Sequence, residues 1–188
     1  MISLLLTSCK PVLSMENIAD NIRYLEHTRL RGQTNEYFIE VVIGRRQLED
    51  FIKITALPKK MKLDNKIGYF YGEHKGELIE KDGKLSDEIK ATIMQDFIVL
   101  KKNGNSEVVS LQPIVDIVNT QKVLEKAIYH IENLDENKDD ITKRDVEIKI
   151  LADMHGNAYI FVTFEGQGKF YSLLFDSETY DIIAEYNL

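Results

Sequence analysis

Any chemistry in this chain would have to come from four histidines, one cysteine and scattered carboxylates, and their spacing gathers few of them. Asp135, Asn137 and Asp139 occupy the first three alternate ligand places of an EF-hand loop, which sets oxygens around Ca²⁺. The pattern then breaks. The sixth place, where the turn needs Gly, is Asp140, and the twelfth, where a bidentate Glu closes the site, is Val146 with Glu147 one residue late. A solvated acidic linker is the expected reading. His27, His74, His130 and His155 never fall at HExxH or paired His/Cys spacing, so no metal site is expected. Gly166-Gln167-Gly168-Lys169 lacks the remaining glycine and the hydroxyl residue of a P-loop and reads as a hairpin turn. No Gly-x-Ser-x-Gly elbow occurs, and Cys9 has no histidine near it in sequence to activate it. Glu73, His74 and Glu77 could exchange protons, but they crowd a turn, where charged residues are usually solvated. The sequence therefore assigns no catalytic residue and no cofactor, and predicts a protein that is not an enzyme.

Cys9 carries a different meaning, because it ends a short apolar run, Met1-Ile2-Ser3-Leu4-Leu5-Leu6-Thr7-Ser8-Cys9. Leu6-Thr7-Ser8-Cys9 resembles a bacterial lipobox, whose cysteine is diacylated and becomes the mature N-terminus. A secretory leader needs a basic n-region and an apolar stretch of about 7–15 residues. Here only Ile2 and Leu4 to Leu6 are strongly apolar, and no Lys or Arg precedes Cys9. Two readings follow. With an upstream start completing the leader, Cys9 is a lipidation site and the protein belongs to the bacterial cell envelope. Otherwise residues 2–6 form a first strand, Cys9 is a buried small apolar residue, and the protein is cytoplasmic.

The 188 residues, 44% of them hydrophobic, can bury a sizeable core in one or two domains. No segment approaches the roughly 20 apolar residues that a membrane-spanning helix takes, so a membrane contact would come only through lipid on Cys9. The net charge of -7 repels a phosphate backbone, and the lysines around Pro58 and the Lys101-Lys102 pair are too few to overturn that. Nucleic acid is not an expected partner. One cysteine makes an intrachain disulfide impossible.

Periodicity places the elements. After Pro11, Ser14 can cap a helix with an apolar stripe of Ile18, Ile22 and Leu25. Tyr37 to Ile43 and Phe51 to Leu57 then alternate as strands, and Ile67 to Tyr71 and Glu77 to Glu80 form a hairpin. Ser86 can cap a short helix through Ile89, Ile93 and Met94, followed by a hairpin across Asn103-Gly104. Pro113 suits the start of a long helix whose face is Ile114, Ile117, Val118, Leu124, Ile128 and Ile131. Four strands follow at Val146 to Leu151, Ala158 to Phe164, Phe170 to Phe175 and Ile182 to Tyr186. The predicted fold is thus α+β: a long helix on a four-stranded antiparallel meander over 112–188, with a second, similar helix-plus-sheet unit over 14–111 behind the apolar segment 1–13.

The ending Phe170 to Leu188, with its Asp-Ser-Glu-Thr-Tyr-Asp-Ile-Ile turn, resembles the last hairpin of PepSY-type or cystatin-like domains of bacterial envelope proteins. Tyr180 stands where those hairpins often carry Gly. The resemblance bears on fold alone and brings no site residue. Tyr69, Phe70 and Tyr71 form the densest aromatic run. If one strand face is open, Tyr69 and Tyr71 are partner-binding residues; if strand alternation sends them inward, they are core. The leading expectation is a non-catalytic binding or accessory protein whose partner is another protein, lipid-anchored in the envelope. Its alternatives are a cytosolic acidic inhibitor or immunity-type factor, and a ligand carrier or enzyme with a pocket between helix and sheet. The anchor is testable in the native organism: Cys9→Ala should move the full gene product from the membrane to the soluble fraction, since loss of the acyl chains removes the anchoring free energy. Unchanged fractionation would refute lipidation.

Overall fold

The computed structural model describes residues 18–60, 64–133, 143–153, 155–166 and 168–187. Cys9 and the EF-hand-like Asp135, Asn137 and Asp139 lie outside the described residues. The strands are β1 (Ile22–Gln33), β2 (Tyr37–Arg46), β3 (Glu49–Pro58), β4 (Lys66–Tyr71), β5 (His74–Lys81), β6 (Lys84–Ile89), β7 (Phe97–Lys102), β8 (Asn105–Ser110) and β9 (Gln112–Val115). Helix α1 (Thr120–Glu132) and strands β10 (Asp145–Ala152), β11 (Ala158–Gly166), β12 (Lys169–Asp176) and β13 (Ile182–Asn187) complete the chain. All the strands belong to one sheet of order β13-β12-β11-β10-β1-β2-β3-β6-β5-β4-β7-β8, with β9 paired to β1.

This overturns the α+β expectation. The chain is chiefly sheet, and the four C-terminal strands are one end of a 13-stranded mixed sheet, because β10 continues into β1 through a parallel pairing, Ile22 beside Val146 and Leu25 beside Ile148. Among the described residues, the N-terminal strands belong to that same sheet and form no second helix-plus-sheet unit. Of the stretch predicted as the first helix, residues 14–17 lie outside the described residues, Ile18 and Ala19 are helical, and Ile22 onward is β1, whose alternation is hidden by a bulge at His27 that leaves Leu25 and Glu26 both buried. Beyond the bulge a period of two is plain: Thr28 and Leu30 are buried, Arg29 and Arg31 face the other side. The segment predicted as a short helix after Ser86 is strand as far as Ile89 and irregular beyond it, with Ile93 and Met94 exposed.

The remaining helix is shorter than its apolar pattern suggests. Gln112–Val115 pairs with β1, Pro113 opposite Leu30, and Ile117 is exposed rather than part of the stripe. Only at Asn119 does the helix begin, where its side chain accepts the Lys122 N–H at 3.0 Å. The 13 residues of α1 then lay Val123, Leu124, Ala127, Ile128 and Ile131 on Ile148, Ile150, Val162, Leu173 and Phe175. Lys126 to Asp181 (2.6 Å) and His130 to Glu185 (2.7 Å) pin its flank to β13. Tyr180 occupies left-handed backbone space (φ 60°), where Gly is favoured. Its ring packs against this core and its hydroxyl accepts the Asn119 N–H at 3.2 Å.

A second core fills the curl of β1 to β8. Leu30, Val41, Ile54, Tyr69, Tyr71, Leu78, Leu85, Ile98 and Val109 point inward, and β8 returns against β1 at its Ser110 end. The approach is so close that a Cβ on Gly32 would sit 2.4 Å from the Ser110 carbonyl oxygen, so only glycine fits.

Glu26 stands where the two cores meet. Beyond Leu25, β1 leaves β10 and takes β9 as its neighbour, which strands the Ile150 N–H. The buried Glu26 carboxylate accepts that N–H at 2.8 Å, together with the Tyr24 hydroxyl (3.0 Å) and Arg29 (3.1 Å). Arg31 extends the brace, pairing with Glu40 at 2.7 Å and donating to the Asp153 carbonyl at 3.1 Å. Glu26→Ala strands the buried Ile150 N–H and leaves Arg29 only Glu40 at 3.8 Å, so it should cost about 3 kcal/mol in urea unfolding. Glu88→Ala, which deletes an exposed pair with Arg46, should cost less than about 1 kcal/mol. Similar costs for the two variants would refute the bracing role.

Candidate functional site

The curl of β1 to β8 is not closed along its whole length. From Ser110 toward Asn105, β8 separates from β1, and a cleft of about 380 Å³ opens between the β1–β2 turn and the β7–β8 hairpin. Both rims are built by local sequence. The Thr34 hydroxyl accepts the N–H groups of Glu36 (3.0 Å) and Tyr37 (2.9 Å), folding the first turn on its own side chain. Asn103 and Gly104, at φ 51° and 80°, make the tight turn that joins β7 to β8.

Charge is concentrated at the mouth. Lys102 Nζ lies 2.5 Å from Glu36 and 2.7 Å from Asp64, and stands over the Tyr37 ring at 5.8 Å. The Tyr37 hydroxyl donates to Asp64. These contacts fix protonation states rather than prepare a transfer. The two carboxylates raise the Lys102 pKa above its ordinary value, and burial with the Asp64 hydrogen bond pushes the Tyr37 phenol up to about 12. Neither group can act as a base near neutral pH. The interior behind them is filled by Tyr69, Tyr71, Ile67 and Leu100, so the cleft is a surface feature.

Along this seam β8 is an open edge. It pairs only with β7, and among the described residues no strand takes its other side. Its outer face continues an apolar row, with Phe70 beside Val99 and Val99 beside Val108, and Val108 is 69% exposed. Lys101 and Lys75 stand over the Phe70 ring at 4.3 and 6.0 Å.

The residues singled out in sequence fall elsewhere. Tyr69 and Tyr71 are 1% and 0% exposed, with hydroxyls bonded to Asp87 and Gln95, so the partner-binding expectation for them is corrected: alternation turns Tyr69 and Tyr71 into the core and Phe70 outward. Gly76 opposite Tyr69 makes room for its ring. Glu77 pairs with Lys66 across the hairpin, and the four histidines are dispersed, with His27 at the β1 bulge held below its ordinary pKa by burial. Among the described residues no three His, Cys, Asp or Glu side chains gather around a possible metal position. The space between α1 and the sheet is occupied by core side chains. A further cleft, about 640 Å³, lies between β9 and the β10–β11 and β12–β13 turns, with Asp116, Asp176 and Glu178 on its walls. Asp176 spends its carboxylate on the N–H groups of Glu178 and Thr179, and those bonds lower its pKa.

Sequence reasoning passed over Lys102, Asp64, Tyr37 and the β8 edge. Asn103-Gly104 did mark the hairpin, but nothing local signals that β8 lacks a second neighbour. Comparison with known proteins finds no matching family, no similar curated protein and no similar solved structure.

A phenol whose pKa is higher folded than unfolded adds stability that is complete below the unfolded value, about 10, and is lost as pH rises through the folded one. Tyr37 therefore contributes to an alkaline loss of stability as pH climbs toward about 12. Urea midpoints measured across that interval should fall less steeply for Tyr37→Phe than for the native chain. Parallel slopes would show that the Tyr37 to Asp64 bond has no such weight.

Proposed function

We propose that the chain is a non-catalytic binding or accessory protein that receives another protein at the open β8 seam. The observation that carries this is the unpaired β8 edge lying beside an apolar row with Val108 largely exposed. Such an edge offers main-chain donors and acceptors to an incoming chain, and native sheets ordinarily pair, cover or charge it. The titratable groups at the mouth support the same reading, since they are locked into ion pairs and hydrogen bonds. An envelope location rests on Cys9 and the fractionation test given above.

A second reading, an acidic inhibitor or immunity-type factor, draws on the carboxylates of Asp116 and Glu178 beside the larger cleft, which would face a basic partner surface. Surface variants separate the two. Tagged full-length chain recovered from native cells should bring down a discrete partner, and Val108→Asp should reduce its yield by about tenfold or more, as a charge at the centre of a docking row does. Asp116→Lys and Ile183→Asp, the latter on the β13 edge, should leave the yield unchanged. Loss with Asp116→Lys alone would favour the second reading, and a yield indifferent to Val108→Asp would refute the first.

A further inference from the structure

The seam also specifies what sort of chain would fit, an inference that rests on the β8 reading above. The row Phe70, Val99, Val108 runs across three strands and stops at the open edge. The next row on the same face is Glu77, Gly68, Lys101, Ser106. Gly68 contributes no side chain, Ser106 a short one and Glu77 is paired with Lys66, so the Lys101 ammonium is the charge of that row nearest the edge. Lys101 and Lys75 have no carboxylate partner among the described residues, in a chain whose net charge is -7, while Lys66 and Lys102 are already paired. The face beside β8 thus carries an unpaired cation, Lys101 on β7, next to the apolar stripe, with Lys75 two strands further in on β5.

We infer that β8 takes up, by strand addition, a short extended segment of a partner protein in which apolar and acidic residues occupy successive outward-facing positions. A strand added about 4.8 Å from β8 sends alternate side chains to one face. One of them lies beside Val108 and lengthens the apolar row; the neighbour two residues away lies beside Ser106, in the row of Lys101, whose ammonium rests over Phe70 and would swing across Ser106 to meet a carboxylate there. The residue between them turns inward, over the cleft lined by Thr34, Asn35 and Glu107. Contact of Gly32 with Ser110 blocks the far end of β8, so the added strand spans only about four residues, Asn105 to Val108. Main-chain bonds would supply affinity, and the two outward positions would supply choice.

Panning a random dodecapeptide phage library on the full-length chain tests this without knowledge of the natural partner. The expected result is enrichment of peptides with an apolar residue and an Asp or Glu two positions apart. Their synthetic forms should bind about tenfold more weakly to Lys101→Glu and at high salt, as screened charge complementarity requires, and should bind Lys75→Glu, two strands further from the edge, much as they bind the native chain. They should also weaken with Val108→Asp and be unaffected by Ile183→Asp. Circular dichroism and urea midpoints of each variant exclude unfolding as the cause, and the lysine substitutions are exposed changes that the fold should tolerate. Enriched peptides that depend on Val108 but are basic or neutral would overturn the acidic specificity and leave the β8 site standing. Binding indifferent to Val108→Asp, or no enrichment, would overturn the inference. So would self-association of the free chain in sedimentation that disappears with Val108→Asp, since a second copy would then be the occupant.

Discussion

The fold turns on one buried carboxylate. A strand has two edges, and β1 uses its second edge twice, for β10 as far as Leu25 and for β9 from Arg29 onward. Switching neighbours in mid-strand leaves main-chain groups of the departing strand without partners, and a buried unpaired N–H is costly. Glu26 answers that need by accepting the Ile150 N–H, and its carboxylate also takes the Tyr24 hydroxyl and Arg29 as donors. The compensation is incomplete: Arg29 Nε is buried with no hydrogen-bond partner among the described residues. Such an arrangement is better explained by the geometry of the fork than by stability alone, since a buried ion pair is seldom more stabilising than an apolar contact of the same volume. The side chain specifies where the sheet divides.

That division explains which parts of the fold were legible in sequence. Strand β10 alternates cleanly because one face lies on α1 and the other is more open, so Val146, Ile148 and Ile150 stand out from Glu147 and Lys149. Strand β1 is the opposite case. Its bulge at His27 shifts the inward face by one residue, and Ile22 and Leu25, spaced from the helical Ile18 as on one helix face, carry the helical pattern into the strand. The start of α1 was misplaced for a related reason. Pro113 is as acceptable in a short strand pairing with β1 as at the first turn of a helix, and the choice is made by the vacancy that β10 leaves beside Arg29 to Arg31, a tertiary fact.

The site was less legible than the fold, because it is made of absences and distant pairs. Glu36, Asp64 and Lys102 converge from the β1–β2 turn, the approach to β4 and the end of β7, and no periodicity links them. The aromatic run was read correctly as a strand yet pointed to the wrong rings. Alternation requires that either Tyr69 and Tyr71 or Phe70 face solvent, and the glycine opposite Tyr69 is the local sign of which set is packed, since only a residue without Cβ admits that ring. Gly76 was thus informative about direction, and not merely about a turn.

An open sheet invites unwanted pairing at both of its ends, and the two ends here are treated differently. At β13 the register breaks between Leu174 and Phe175, and α1 is fastened along the strand through Asp181 and Glu185, so the edge is bent and braced. At β8 the pairing with β7 runs unbroken from Phe97 and Ser110 to Lys102 and Asn105. Its protection is positional: Gly32 lets β1 close over the Ser110 end, and the exposed remainder is too short to template a long ladder. The same closure that limits misassembly leaves a defined gap, bounded on one side by the Thr34 turn and on the other by a regular strand. A recognition surface needs that combination of rigid backbone and limited length, because a longer free edge would accept any extended chain whereas a short one depends on its side chains for affinity.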